Sequence, residues 1–69
     1  MLLGEFENIT GAEVGYYFYK VVIEPMYNAT PESFNKFDFC SIFTKRSIAK
    51  AQKIFYEKHP EMKEEEKLK

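Results

Sequence analysis

The order of hydrophobic and polar positions predicts strands in the first two thirds of the chain and a helix after them. Residues 15–24, GYYFYKVVIE, are rich in Tyr, Phe, Val and Ile and end before Pro25, which is typical of a β-strand. Alternation places a wholly apolar face towards a core, formed by Tyr17, Tyr19, Val21 and Ile23. The opposite face carries Tyr16, Phe18, Lys20, Val22 and Glu24. Its two rings have no obvious cover, because the other face is the one that meets the core.

Two further segments complete a predicted sheet. Residues 37–43, FDFCSIF, alternate in the same way. The apolar residues of positions 2–9 have helical spacing, but Gly4 would cost a helix about 1 kcal/mol. We therefore favour a strand over 2–9 that turns at Thr10-Gly11, since two strands alone make a poor sheet.

A short connection and one helix follow from the remaining pattern. Thr30-Pro31-Glu32-Ser33 resembles a helix start, and the few residues after it predict a single helical turn near 31–36. Thr44 or Ser47 can cap the helix predicted for the segment KRSIAKAQKIFYEKH, which is amphipathic. Its predicted apolar stripe is Ile48, Ala51 and Phe55, with Ile54 at the edge. Arg46, Lys50 and Lys53 fall on the opposite side, and His59-Pro60 ends the helix.

These elements predict a single α+β domain over residues 1–60, in β-β-α order. A three-stranded antiparallel sheet is covered on one face by the amphipathic C-terminal helix. Residues 61–69, EMKEEEKLK, are expected to form a solvated helical extension or a frayed tail.

The composition limits the ways in which such a small domain can be stabilised. A chain of 69 residues buries only about 60% of the surface that its unfolded form exposes. Its single cysteine and single histidine exclude an internal disulfide and a structural zinc site of four Cys or His ligands. We therefore expect no metal and no cofactor, and stabilisation by dense aromatic packing or by a partner, including a homodimer.

The start of the chain and its hydropathy favour a cytoplasmic protein. MLLGEFENIT lacks the basic start and apolar run of a signal peptide. No stretch approaches the roughly 18 apolar residues of a membrane span. One unpaired cysteine suits a reducing compartment.

Charge is uneven along the chain although the net charge is −1. Residues 1–43 have six acids against two lysines, whereas residues 44–59 have five cations against one acid. The helix segment is therefore the basic part of an otherwise acidic protein.

The residues offer little for catalysis. Cys40 is expected to be a buried structural thiol, and His59 a residue at a helix end. Neither the carboxylate pairs nor the three glycines form a recognisable catalytic or phosphate-binding motif. We predict that the protein is not an enzyme.

Two binding functions remain. The first is a protein interface on the uncovered sheet face, with Tyr16, Phe18, Lys20 and Glu24 as partner-binding residues. The alternative is a nucleic-acid interface on the helix, formed by Lys45, Arg46, Lys50 and Lys53. The acids around the aromatic strand disfavour base stacking there, so a protein partner is preferred.

The layout of residues 15–59, aromatic-rich segments followed by the capped helix TKRSIAKAQKIF, resembles small inhibitors encoded by phages and mobile elements. These include anti-CRISPR and anti-restriction proteins and inhibitors of host DNA enzymes. The resemblance implies a non-enzymatic protein that binds a host nucleic-acid-processing or defence enzyme. It assigns no individual site residue.

Overall fold

The computed structural model describes the backbone of residues 1–67 and the side chains of residues 1–63, and the described part contains helices and no strand. The helices are α1 (Leu3–Thr10), α2 (Tyr16–Phe18), a π-helical turn (Tyr19–Ile23), α3 (Glu24–Asn28), α4 (Lys36–Ser41), α5 (Lys45–Lys58) and α6 (Pro60–Lys67). The predicted α+β fold with its three-stranded sheet is therefore wrong.

Residues 16–28 form one continuous helix, the central helix, made of α2, the π-helical turn and α3. Phe18, Val22 and Met26 repeat every four residues along it, and so do Tyr19, Ile23 and Tyr27. In a helix these repeats make two neighbouring apolar stripes. Packing on both stripes outweighs the β-propensity of the single residues, which is a weak preference.

The π-helical turn lies at the middle of the central helix. The N–H of Glu24 donates to the carbonyl of Tyr19, five residues earlier. Tyr19 and Ile23 both remain fully buried across this wide turn. Pro25 follows directly, inside the helix rather than at the end of a strand. A proline in a regular helix lacks one donor and crowds the carbonyl four residues back, and here the proline directly follows the wider turn.

Aromatic rings connect the central helix to the rest of the core on its two sides. On one side Tyr19 and Tyr27 reach α1, α4 and Phe43, through ring pairs 5.2–6.0 Å apart. On the other side Phe18 packs edge-on against Phe55 of α5, with 5.7 Å between the ring centroids. The central helix is thus the common wall of both halves of the core.

The segment predicted as the first strand is α1. Gly4 is tolerated because it lies in the first turn, where its hydrogen faces open space. Gly11 ends the helix in the left-handed conformation, with φ of 74°, and its N–H donates to the carbonyl of Glu7 at 2.8 Å. The helical spacing of residues 2–9 therefore describes the fold better than the strand that we predicted.

The segment predicted as the last strand is α4. Asn35 caps it by accepting a hydrogen bond from the N–H of Asp38 at 2.9 Å. Phe39 and Cys40 are buried whereas Phe37 is exposed, because a helix does not place residues 37 and 39 on one face. Ahead of α4, the single helical turn predicted near 31–36 is instead a non-helical turn, in which the N–H of Phe34 donates to the carbonyl of Pro31 at 2.9 Å.

The predicted amphipathic helix is confirmed as α5. Thr44 and Ser47 cap each other's backbone N–H groups at 3.0 Å, a reciprocal capping box. Ile48 and Phe55 are buried as predicted, but Ala51 is exposed. Part of the predicted tail is helical, as α6; Leu68 and Lys69 lie outside the described residues.

Candidate functional site: an apolar groove beside α5

An apolar groove separates the central helix from the first half of α5. Its volume is about 330 Å³. The residues that line it are Phe18, Val22, Ile23, Met26, Ile42, Phe43, Ser47, Ile48 and Ala51. None of these nine carries a charge, and the Ser47 hydroxyl, the one polar group among their side chains, already serves the capping box of α5.

The floor and the rim of the groove differ in exposure. Phe18 and Ile48 form a floor that solvent does not reach, with 2% and 1% of their surface exposed. Met26 and Ile42 stand at the rim with 43% and 63% exposed. Large apolar side chains at the edge of an apolar depression are the kind of surface that marks an interaction site.

Each wall of the groove follows from the helical repeat of its own segment. Val22 and Met26 come one and two turns after Phe18 on the central helix. On α5, Ala51 lies one turn after Ser47, and its small side chain leaves the space open. Ile42 enters from the short connection between α4 and α5. Three separate segments are therefore needed to build the site.

A larger depression of about 840 Å³ lies between α1, the 11–15 loop and Gln52, but it is a weaker candidate. Two of its polar side chains already serve the fold. The amide of Gln52 accepts from the N–H of Gly15 at 2.7 Å and donates to the carbonyl of Glu13 at 2.8 Å. The Glu7 carboxylate accepts from the N–H of Val14 at 2.9 Å. Binding pockets are lined predominantly by apolar side chains, and of the two depressions the smaller groove has the more apolar lining.

The four residues predicted to bind a partner do not form one surface. Phe18 is buried in the core, on the groove floor, whereas Tyr16 is exposed and packs edge-on against Tyr17 at 5.3 Å. Lys20 and Glu24 pair on the helix surface at 3.0 Å. In a helix, residue 18 points about 200° away from residue 16, so the face predicted from strand alternation is divided. The segment does contribute to the candidate site, through the stripe of Phe18, Val22 and Met26.

Three of the four alternative nucleic-acid-binding residues lie together. Arg46, Lys50 and Lys53 fall within roughly 60° of one another around α5 and are all exposed; we call them the basic band. Lys45 lies on another flank, over the 11–15 loop, where its Cε would be 3.3 Å from a Cβ added at Gly11.

The surroundings of Cys40 and His59, the two residues considered for catalysis, indicate structural roles. Cys40 is a buried free thiol, as predicted, 3.8 Å from the Met1 sulfur. Burial raises the pKa of the Cys40 thiol, which disfavours the reactive thiolate. His59 caps the end of α5 and packs on Phe55 with 4.8 Å between ring centroids. Within the described residues, no three His, Cys, Asp or Glu side chains are grouped closely enough to hold a metal ion.

Comparison with protein-family models, with curated proteins and with solved structures finds no match to this chain. Among the helices of the described residues, none is both long and apolar enough to cross a membrane.

Proposed function

We propose that the protein acts without catalysis, by binding another protein and accepting an apolar segment of it in the groove. The observation that carries this proposal is the exposed apolar rim above a buried apolar floor, with no charged residue among the lining side chains. An apolar side chain of the partner, bound in the groove, would bury the exposed surface of Met26 and Ile42 together with its own surface. That burial is favourable at roughly 25 cal/mol per Å² of apolar area.

The shape of the groove favours a helical segment as the occupant. Two helices form its long walls, and the side chains of Val22 and Met26 repeat along one wall at one-turn spacing. A helix that inserts residues spaced three or four apart matches such a groove. The flexible thioether of Met26 adapts to the shape of the inserted side chains.

The resemblance to phage-encoded inhibitors predicts a host enzyme as the partner, and that identity stays a prediction. The alternative function, nucleic-acid binding, is supported by the common exposure of the basic band. It is weakened by the burial of Phe18, because single-strand binding needs exposed rings beside the cations.

A peptide selection tests the proposal. The probe is a display library of peptides of about 16 residues, roughly four helical turns, with apolar residues fixed at helical spacing. The full-length chain is the bait. Fluorescence anisotropy then measures the dissociation constant of a selected peptide. We expect the double variant Met26→Gln/Ile42→Gln to weaken binding by about tenfold or more, equivalent to ~1.4 kcal/mol.

The control variant is Phe34→Gln/Phe37→Gln. Phe34 and Phe37 are exposed by 40% and 61%, nearly matching Met26 and Ile42, but they do not line the groove. The control variant should bind the selected peptide with the wild-type affinity within about twofold, or ~0.4 kcal/mol. Equal losses in both variants, or a library that yields no binder, would overturn the proposal.

A further inference from the structure

The groove is apolar inside and basic along one outer edge. Around the axis of α5, Ala51 and Ser47 line the groove and Ile54 comes next. Lys50, the first residue of the basic band on this side, lies at roughly 60° from Ser47. Ile54 and the whole basic band are exposed. At the edge of the groove that α5 forms, the exposed Ile54 therefore lies between the groove lining and the cations of the basic band.

The basic band has no acidic partner in the described part of the chain. The ion pairs found there join Lys20 to Glu24 and Lys36 to Glu5, and the His59 ring lies 3.8 Å from the Glu61 carboxylate. Glu57, one turn after Lys53 on the same side of α5, is the single acid of this helix against four lysines and one arginine, and it forms no ion pair within the described residues. On the opposite wall, the Lys20–Glu24 pair leaves the central helix close to neutral. The positive potential near the groove thus comes from one side.

From this asymmetry we propose that the occupant of the groove is an amphipathic protein segment with carboxylates along the edge that meets α5. The inference rests on the proposed function, since it assumes that the groove is the binding site. Apolar residues of the segment fill the groove beside Val22 and Met26, while its Asp or Glu side chains lie against Arg46, Lys50 and Lys53. Complementary charge at such a rim sets partner choice and association rate more than it sets affinity.

A second copy of this chain fits the groove less well. A symmetric dimer through this face brings two copies of α5 close together, and with them two copies of the basic band. Like charges at an interface oppose association. Nucleic acid would satisfy the basic band but would leave the apolar groove uncovered. An acidic amphipathic segment satisfies both features at once.

The test extends the peptide selection. In the library, the positions flanking the apolar face encode Glu, Lys, Gln and Ser in equal proportion. We expect Glu to exceed Lys severalfold among the selected peptides, on the flank next to the groove-filling residues. The selected peptide should bind about tenfold more weakly to the triple variant Arg46→Gln/Lys50→Gln/Lys53→Gln, because exposed ion pairs contribute modestly one by one.

The matched control removes three cations that lie outside the groove lining and the basic band, as Lys36→Gln/Lys45→Gln/Lys58→Gln, and so has the same net charge. It should keep the wild-type affinity within about twofold, because distant exposed charges are screened by salt. Circular dichroism on both triple variants checks that each remains folded.

The outcomes separate the two proposals. Selected peptides with neutral or basic flanks that still depend on Met26 and Ile42 would overturn the charge assignment and leave the groove as a binding site. Peptides that bind independently of Met26 and Ile42 would overturn both. A DNA duplex that binds through the basic band and ignores the groove variant would assign the band to nucleic acid. A dimer, detected by light scattering, that the groove variant dissociates would make a second copy the occupant.

Discussion

Replacing Phe18 by alanine should remove a large part of the stability of the protein. Phe18 is buried, packs edge-on against Phe55 at 5.7 Å and forms part of the groove floor. Truncating a buried phenylalanine costs about 3–5 kcal/mol, which combines lost burial with the cavity that remains. At about 0.05–0.15 kcal/mol per residue, a domain of this size has only roughly 3–10 kcal/mol in total.

The assay is urea unfolding followed by far-ultraviolet circular dichroism, with Phe37→Ala as the matched control. Phe37 is the same residue type but is 61% exposed. Its ring has the Lys36 ammonium 5.8 Å from its centroid, a contact that contributes at most about 1 kcal/mol. The Phe18→Ala midpoint should therefore fall far below that of Phe37→Ala. Equal midpoints would refute the placement of Phe18 in the core.

Three further predictions concern helix ends and pH. Gly11→Ala should destabilise the protein by about 1–2 kcal/mol, because its φ of 74° is left-handed. Gly4→Ala should stabilise it by about 0.5–1 kcal/mol, because a methyl there meets nothing within 4 Å; thermal unfolding of both variants gives the two signs, and a shared sign would contradict the helix end at Gly11. Thr44→Ala should cost about 1 kcal/mol through loss of the α5 cap, and Thr44→Ser should recover most of it in the same assay. The hydrogen bond from Lys36 lowers the pKa of Glu5. That stabilisation is present above the pKa of an unfolded glutamate and is lost as pH falls through the lowered folded value. Acid unfolding of Glu5→Gln should therefore lack this part of the pH dependence, and an acid limb identical to wild type would contradict the pairing.

Sequence reasoning found α5 because cap, amphipathic period and terminating proline all agree there. It failed on the aromatic segment because two patterns overlap in the same residues. Alternation favours a strand, and the repeats of four through Phe18 and through Tyr19 favour a helix. The second repeat extends to Tyr27, beyond Pro25, and is hidden if that proline is taken as an end. π-helical turns are rare in proteins, so no sequence pattern predicts the one that precedes Pro25.

The groove was harder to predict than either of its helices. Its rim residue Ile42 comes from the connection after α4, where a strand was expected, and no local pattern relates that position to Met26. If residues 16–28 are assigned as a helix, the stripe of Phe18, Val22 and Met26 predicts one wall of the groove. The basic band, in contrast, follows from the period of α5 and was grouped correctly apart from Lys45.

The central claim is that the aromatic segment is a helix, because the groove, its floor and its edge exist only in that conformation. Backbone NMR assignment of residues 16–28 tests it directly. The account predicts Cα chemical shifts displaced in the helical direction throughout this range, together with strong sequential amide–amide contacts. Cα shifts displaced in the strand direction over residues 16–24, with cross-strand contacts to residues 2–9 or 37–43, would contradict it.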